Sequence, residues 1–311
     1  IFFQNWAPAD QCVELLNESA RELKEFAGVK DFQTNSAPSP SLFEEFFIPG
    51  LNSESEGKLK GSRLFRPESA HLVVVGPVDP AEMDRGLRPA WSGWFSDNTP
   101  PGFSKPRKLA AGDSPTGKVI SAPAGSQPAL VLGFTGPARS SPDFLPFNLA
   151  IQTLAGRPNT SVLARKLQAA KLAVTSVKAF PLSASETLDE SSAKQVWLIA
   201  VRPAEDWSDP EQAAGKITSI LKGLGTQPIG NHELDLTRDF LKSSLALSAS
   251  TIRGRAKVLA HSEFYRLSDS YLEDYAGLYD HLSPELVKAI CGNYLQDPQI
   301  RWLYFQPGKA E

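Results

Sequence analysis

Residues 153–180 read TLAGRPNTSVLARKLQAAKLAVTSVKAF, and three local patterns follow one another within them. A Gly-containing loop comes first. The spacing then predicts a cationic amphipathic helix from about Ser161 to Lys171, and a β-like segment from about Ala173 to Phe180. The basic residues Arg165, Lys166 and Lys171 form either a solvated helix face or a surface that favours acidic partners. Loop, helix and strand in this order make one layer unit of a mixed fold, and its neighbours on both sides carry similar signals.

Upstream, QPALVLGFTGPA predicts a strand from Ala129 to Phe134, and PDFLPFNLAIQTLAG a helix with Phe147, Ile151 and Leu154 in spacing. Downstream, AKQVWLIAVRP is a strand ended by Pro203, apolar on both faces, which predicts a sheet covered on both sides by helices or by a partner. DPEQAAGKITSILKGLG predicts an amphipathic helix with Ile217, Ile220 and Leu224 inward and Gly225 as its stop. Residues 231–266 form a long helical tract with a break expected near Gly254, and YLEDYAGLYDHL places Tyr271, Tyr275, Leu278 and Leu282 on a core stripe. Ser283, Pro284 and Glu285 open a capped helix, and QIRWLYFQP closes as a strand. Consecutive strands with grouped helices indicate an α+β layer architecture.

Toward the N-terminus, residues 10–27 predict a helix with Val13, Leu16, Leu23 and Phe26 on one face, Asp10 as N-cap and Gly28 as stop. A short helix is expected around Phe43–Phe47. Leu72–Val75 reads as a buried strand, and VDPAEM opens a helix with Asp79 as N-cap and Pro80 in first position. This strand and helix resemble an incomplete copy of the later unit. Residues 96–118, rich in Pro and Gly without a hydrophobic period, form the expected linker. Trp91, Trp94 and Phe95 just before it are candidates for an interdomain plug or a partner contact.

The 311 residues favour two domains. A net charge of −3 argues against a general nucleic-acid binder, so the cations of RGRAK (253–257) read as a helix break with exposed charge. No apolar run approaches the roughly 18–20 residues that cross a membrane. Cys12 and Cys291 are too few and too far apart for a metal cluster or a disulfide framework. The opening IFFQNWAPADQC has neither a Met nor a basic region followed by a cleavage site, and fits a mature form, a fragment or a chain whose first part is missing.

Four passages together resemble one known family. FRPESAHLVVVGPVDPAEM resembles the Y-x-P-x-N-x-x-L-V-V-V-G-D-V-D ending of the first domain in pitrilysin/insulinase-type zinc peptidases. That superfamily includes mitochondrial processing peptidase and the core proteins of the cytochrome bc1 complex. SQPALVLGFTGPARSSPDFLPFNLAIQTLAG resembles the start of their second domain, and SVLARKLQAAKLAVTSV the S-R-L-x-x-x-L-R-E-x-x-G-L-A-Y-S-V passage that follows. LSPELVKAICGNYLQDPQIRWLYFQP resembles the closing helix and strand. The resemblance covers residues 62–311. It implies two similar α+β layer domains that enclose a cavity, the first incomplete (1–95), a linker (96–118), and a second domain (119–311).

In that family zinc is held by an inverted His-x-x-Glu-His motif with a distant Glu as third ligand, and the motif's own Glu activates the attacking water. None of His71, His232, His261 and His281 has a second histidine at helical spacing, so no metal ligand or catalytic residue is assigned. Zinc is expected instead on a partner chain or on a segment upstream of Ile1. His232 and Glu233 are read as opening a helix, where the carboxylate suits the macrodipole.

Active relatives also carry an Arg and a Tyr in L-R-E…G-L-A-Y that hold the substrate main chain and the oxyanion. The resemblance places Gln168 at the Arg position and Val174 at the Tyr position, in a passage one residue short; alternative gapping brings Arg165 or Lys171 nearby. These four are the candidate substrate or partner-cavity residues. The implied function is a non-catalytic subunit that completes the cavity of a homologous zinc-bearing peptidase subunit, or serves structurally in a larger assembly. One alternative is an active zinc endopeptidase whose motif precedes residue 1. A second is a peptide-binding module that holds extended chains at a sheet edge.

Overall fold

The computed structural model describes residues 2–5, 70–77, 79–91, 117–124, 127–157, 161–182, 194–265, 267–296 and 300–308. The expected helices at 10–27 and 43–47, residues 96–116 of the expected linker, Trp94 and Phe95 lie outside them. Strands β1 (Phe2–Asn5) and β2 (Ala70–Val73) pair antiparallel. The second of these begins and ends two residues before the predicted Leu72–Val75. Helix α1 (Pro80–Trp91) starts as predicted: the Asp79 carboxylate accepts from the Ala81 amide at 2.8 Å, and proline fills the first position.

The main sheet comprises β3 (Gly117–Ala124), β4 (Ala129–Pro137), β5 (Val174–Leu182), β6 (Lys194–Pro203) and β7 (Arg301–Gly308), in the order β3-β7-β4-β6-β5. Every pairing is antiparallel except β3 with β7. β3 was not anticipated, and its first two residues fall within the expected linker. Its Gly, Pro and exposed Lys118 give no clean alternation, and its partner lies at the other end of the chain.

The pleat separates two apolar sets. On one face Leu130, Leu132 and Phe134 of β4 stand opposite Val201, Ile199 and Trp197 of β6, and all six belong to the main core. On the other face Ala129, Val131, Leu198, Ala200 and Leu303 are also buried. The sheet is therefore covered on both sides within one chain, as the doubly apolar β6 predicted.

Helices pack on the first face. α2 (Phe144–Ile151) continues as a π-helical turn over residues 152–156, and places Phe147 edge-on to Trp197 with ring centroids 5.2 Å apart. Then follow α3 (Val162–Ala169), α4 (Pro210–Thr226), α5 (Asn231–Ala249), α6 (Ile252–Phe264), α7 (Tyr271–Leu278) and α8 (Pro284–Leu295). Asp209 and Ser283 cap α4 and α8, accepting from Gln212 at 2.9 Å and Leu286 at 3.2 Å. α4 and α8 cross where Gly225 meets Gly292, and a Cβ on Gly225 would lie 2.8 Å from the Gly292 Cα. Gly225 is thus a close-approach residue and not the expected stop.

The break in the long helical tract lies at Ser250–Thr251, ahead of the expected Gly254. Thr251 caps α6 by accepting from the Gly254 amide at 3.0 Å, so Gly254 sits inside the first turn. Tyr271 and Tyr275 are buried as the core stripe requires, and Tyr279 joins them at 1% exposure. The Tyr279 hydroxyl accepts from the buried Asn148 amide at 2.9 Å, which satisfies a polar group that would otherwise be stranded in the core.

Candidate functional site

Residues 153–156 belong to the π-helical turn and not to the expected loop, and α3 and β5 supply the expected helix and strand. The Ser161 hydroxyl accepts from the Ala164 amide at 3.1 Å and starts α3. Leu163 and Leu167, one turn apart, are fully buried and hold the helix on the core. Arg165 and Gln168 therefore share the outer face, where both are exposed.

The helix ends in a Schellman turn. The Leu172 amide donates to the Leu167 carbonyl at 2.9 Å, and the Lys171 amide to Gln168 at 3.0 Å. Lys171 takes the left-handed position with φ 62°, alone among the described non-glycine residues. The family passage carries Gly directly before L-A at this place; here a lysine bears the strain. Val174 then opens β5 opposite Pro203, half-buried and packed against the core.

Arg165 does not point freely into solvent chemistry. It hydrogen-bonds Glu233 in the first turn of α5, and the same carboxylate accepts from Arg157 on its other oxygen. Arg157 follows the π-helical turn and is 6% exposed. One glutamate thus ties the loop after α2, helix α3 and the start of α5 together. Burial alone would raise the Glu233 carboxyl, and it is the largest single effect. Hydrogen bonds and charge from Arg165 and Arg157 outweigh it together, so the group stays ionised below the usual glutamate range.

Sequence reasoning missed Arg157 and assigned Glu233 only to the helix dipole. One signal was present: no Asp or Glu occurs between Asp143 and Glu186. A buried arginine in that stretch needs a carboxylate from elsewhere, but nothing local says which one.

The described residues do not fit a zinc centre. His232 is exposed at the start of α5, His281 is exposed after α7, and His261 of α6 lies edge-on to Tyr265 at 6.3 Å. No group of three His, Cys, Asp or Glu among the described residues could hold a metal ion. Cys291 is fully buried in α8, where burial pushes its thiol up to about 12; it is neither a ligand nor a nucleophile at neutral pH.

The model of the peptidase M16 inactive domain matches residues 62–241, more than half of the chain. The chain belongs to the peptidase M16 family. No curated protein matches it. Among solved structures, a protease from Helicobacter pylori superposes with a TM-score of 0.64 at 15% identity, covering 96% of this chain and 72% of the other. The periplasmic protease PqqL from Escherichia coli gives 0.53 at 16% identity, over 97% of this chain and 32% of its own length. A peptidase M16 inactive domain from Pseudomonas fluorescens gives 0.49 at 21% identity, over 63% and 44%.

The mixed helix-and-sheet fold is thus the M16 peptidase fold, and the pitrilysin/insulinase-type resemblance and the M16 match agree. The matched segment is of the type described as the family's inactive domain. It contains Gln168, Lys171 and Val174 in the passage described above.

Proposed function

We propose that this M16 chain is a non-catalytic subunit, which completes the substrate cavity of a homologous zinc-bearing partner or serves structurally in a larger M16 assembly. The observation that carries this reading is the pair at the substrate-holding positions. Gln168 is exposed and uncharged and lacks the charged fork of an arginine, and Val174 packs an apolar surface on the core and has no donor for an oxyanion. Of the two cations that alternative gapping brings nearby, Arg165 is engaged by Glu233 and Lys171 closes the Schellman turn. The proposed layout is the sequence-derived one, with a first domain to residue 95, a linker over 96–118, a second domain over 119–311, and a cavity between the two halves. On this reading the zinc belongs to the partner; zinc on a segment upstream of residue 1 belongs to the alternative of an active endopeptidase.

The test is a peptidase assay on the protein purified from its source, with and without added zinc, and then with a zinc-bearing M16 subunit from the same source. No cleavage alone and cleavage in the mixture is expected. Cleavage by the chain alone, abolished by a chelator, would establish the active endopeptidase instead. The position of β5 at one edge of the sheet favours a second reading, a module that holds extended peptides by strand addition. That reading predicts peptide retention by a monomer without cleavage.

A further inference from the structure

Strand β5 lies at one side of the main sheet, and among the described residues its neighbour is β6 alone. The direction of its backbone groups follows from the ladder. In an antiparallel pair, residues alternately turn both backbone groups toward the partner strand and away from it. The Ala204 amide donates to the Ala173 carbonyl at 3.0 Å, so Ala204, Arg202, Ala200 and Leu198 turn their groups toward β5. Lys178 and Phe180, opposite Ala200 and Leu198, turn inward to meet them. Val177, Ala179 and Pro181 therefore present theirs at the outer edge.

Two devices restrict this edge. Pro181 has no N–H to offer. The Ala179 carbonyl is already taken: the side-chain amide of Gln152, in the first position of the π-helical turn, donates to it at 3.1 Å. That bond agrees with the outward direction read from the ladder. Room for the amide comes from Gly156, where a Cβ would lie 1.7 Å from the Gln152 Oε1. The same Gln152 nitrogen lies 3.5 Å from the Asn148 Oδ1, and Asn148 is itself fixed by its bond to the Tyr279 hydroxyl at 2.9 Å.

We infer that Gln152 is an internal cap on the β5 edge: its amide stands where the backbone N–H of an incoming strand would donate, and an extended peptide pairs with β5 by displacing it. This deepens the second reading above, uptake of extended peptides at this edge, and rests on it. Outward backbone donors and acceptors suit a polypeptide backbone, because a neighbouring strand supplies both at the matching spacing. An uncapped edge would recruit strands indiscriminately. Pro181 limits the ladder permanently at one end, whereas Gln152 is half-buried and exchangeable: when its amide leaves Ala179, the Asn148 oxygen receives the N–H. The cap therefore competes with an incoming strand by about one hydrogen bond, which weakens uptake without abolishing it.

The test is fluorescence anisotropy of a short labelled peptide of alternating threonine and valine, titrated with the whole protein. Gln152→Ala should bind it about fivefold more tightly than the parent, the factor that one net hydrogen bond carries. Gly156→Ala keeps the glutamine but pushes its amide off Ala179, and should show the same gain. The gain should vanish for the peptide N-methylated on the edge that would face β5, since its backbone then lacks the donors. Melting followed by circular dichroism shows which variants fold, and either variant alone carries the test. A parent that binds the peptide while both variants bind it equally or more weakly would overturn the cap and leave the edge reading in place. Binding by none of the three would overturn that reading and the cap with it. A Gln152→Ala variant that dimerises and takes up no peptide would overturn the peptide as occupant and give the edge to a second copy of the chain.

Discussion

Arg157 and Glu233, 76 residues apart in sequence, form a largely buried ion pair that fastens the loop after the π-helical turn to the start of α5. Arg165 reaches the same carboxylate from the solvent side. Glu233→Gln would leave the Arg157 guanidinium buried with a weakened acceptor, at a cost of about 2–4 kcal/mol. Arg165→Ala, at an exposed position, should cost less than about 1 kcal/mol. Urea midpoints of the two variants at neutral pH check this order, and equal losses would contradict it.

The pair also sets an acid dependence. The Glu233 carboxyl has its folded-state pKa held below the ordinary value, so on acidification the unfolded chain takes up the proton first. Its contribution is fully present above the ordinary glutamate pKa of about 4.3 and is lost as pH falls from there through the folded value. The stability gap between parent and Glu233→Gln should therefore narrow below about pH 4. A constant gap from pH 7 to pH 3 would show that the charge of Glu233 plays no part.

Lys171 holds a left-handed backbone at φ 62° to close the Schellman turn after α3. Lys171→Gly removes the Cβ strain and adds unfolded-chain entropy, and the first effect is the larger. The variant should be stabilised by about 0.5–1 kcal/mol. A destabilised variant in chemical denaturation would mean that the lysine side chain makes a contact that outweighs its strain.

Gly225 and Gly292 let α4 and α8 approach closely. Gly225→Ala would place its Cβ 2.8 Å from the Gly292 Cα, and both neighbours are helix backbone that cannot rotate away. The expected loss is about 1–3 kcal/mol, although alanine is the better helix former. Thermal melting distinguishes the two: a gain in stability would show that the crossing can open without cost.

The elements that were legible in the sequence are those whose signals are local. Asp79–Pro80 and Ser283–Pro284 announce helix starts, and the unbroken apolar run of β6 announces a strand covered on both sides. What was not legible depends on distant partners. β3 becomes a strand by pairing in parallel with β7, about 185 residues later in the chain. Gly254 drew the predicted break toward itself, whereas the hydroxyl of Thr251 decides where α6 begins. In the candidate site, Gln168 and Val174 were identified through the family pattern, while the Arg157–Glu233–Arg165 group required the tertiary structure.

Gln168 and Val174 behave differently if they are scaffold and not binding groups. Gln168→Ala, on the exposed face of α3, should change stability by less than about 0.5 kcal/mol and leave any assembly intact. Val174→Ala removes part of a half-buried packing contact and should cost about 1 kcal/mol. Loss of a partner chain on changing Gln168 would give that residue a direct role.

The central claim is that this M16 chain works with a zinc-bearing partner and carries no catalytic metal itself. Native mass spectrometry of the protein purified from its source, with metal content recorded, tests it most directly. The account predicts a complex with a second chain that carries the zinc. A lone species with one zinc per chain would contradict it.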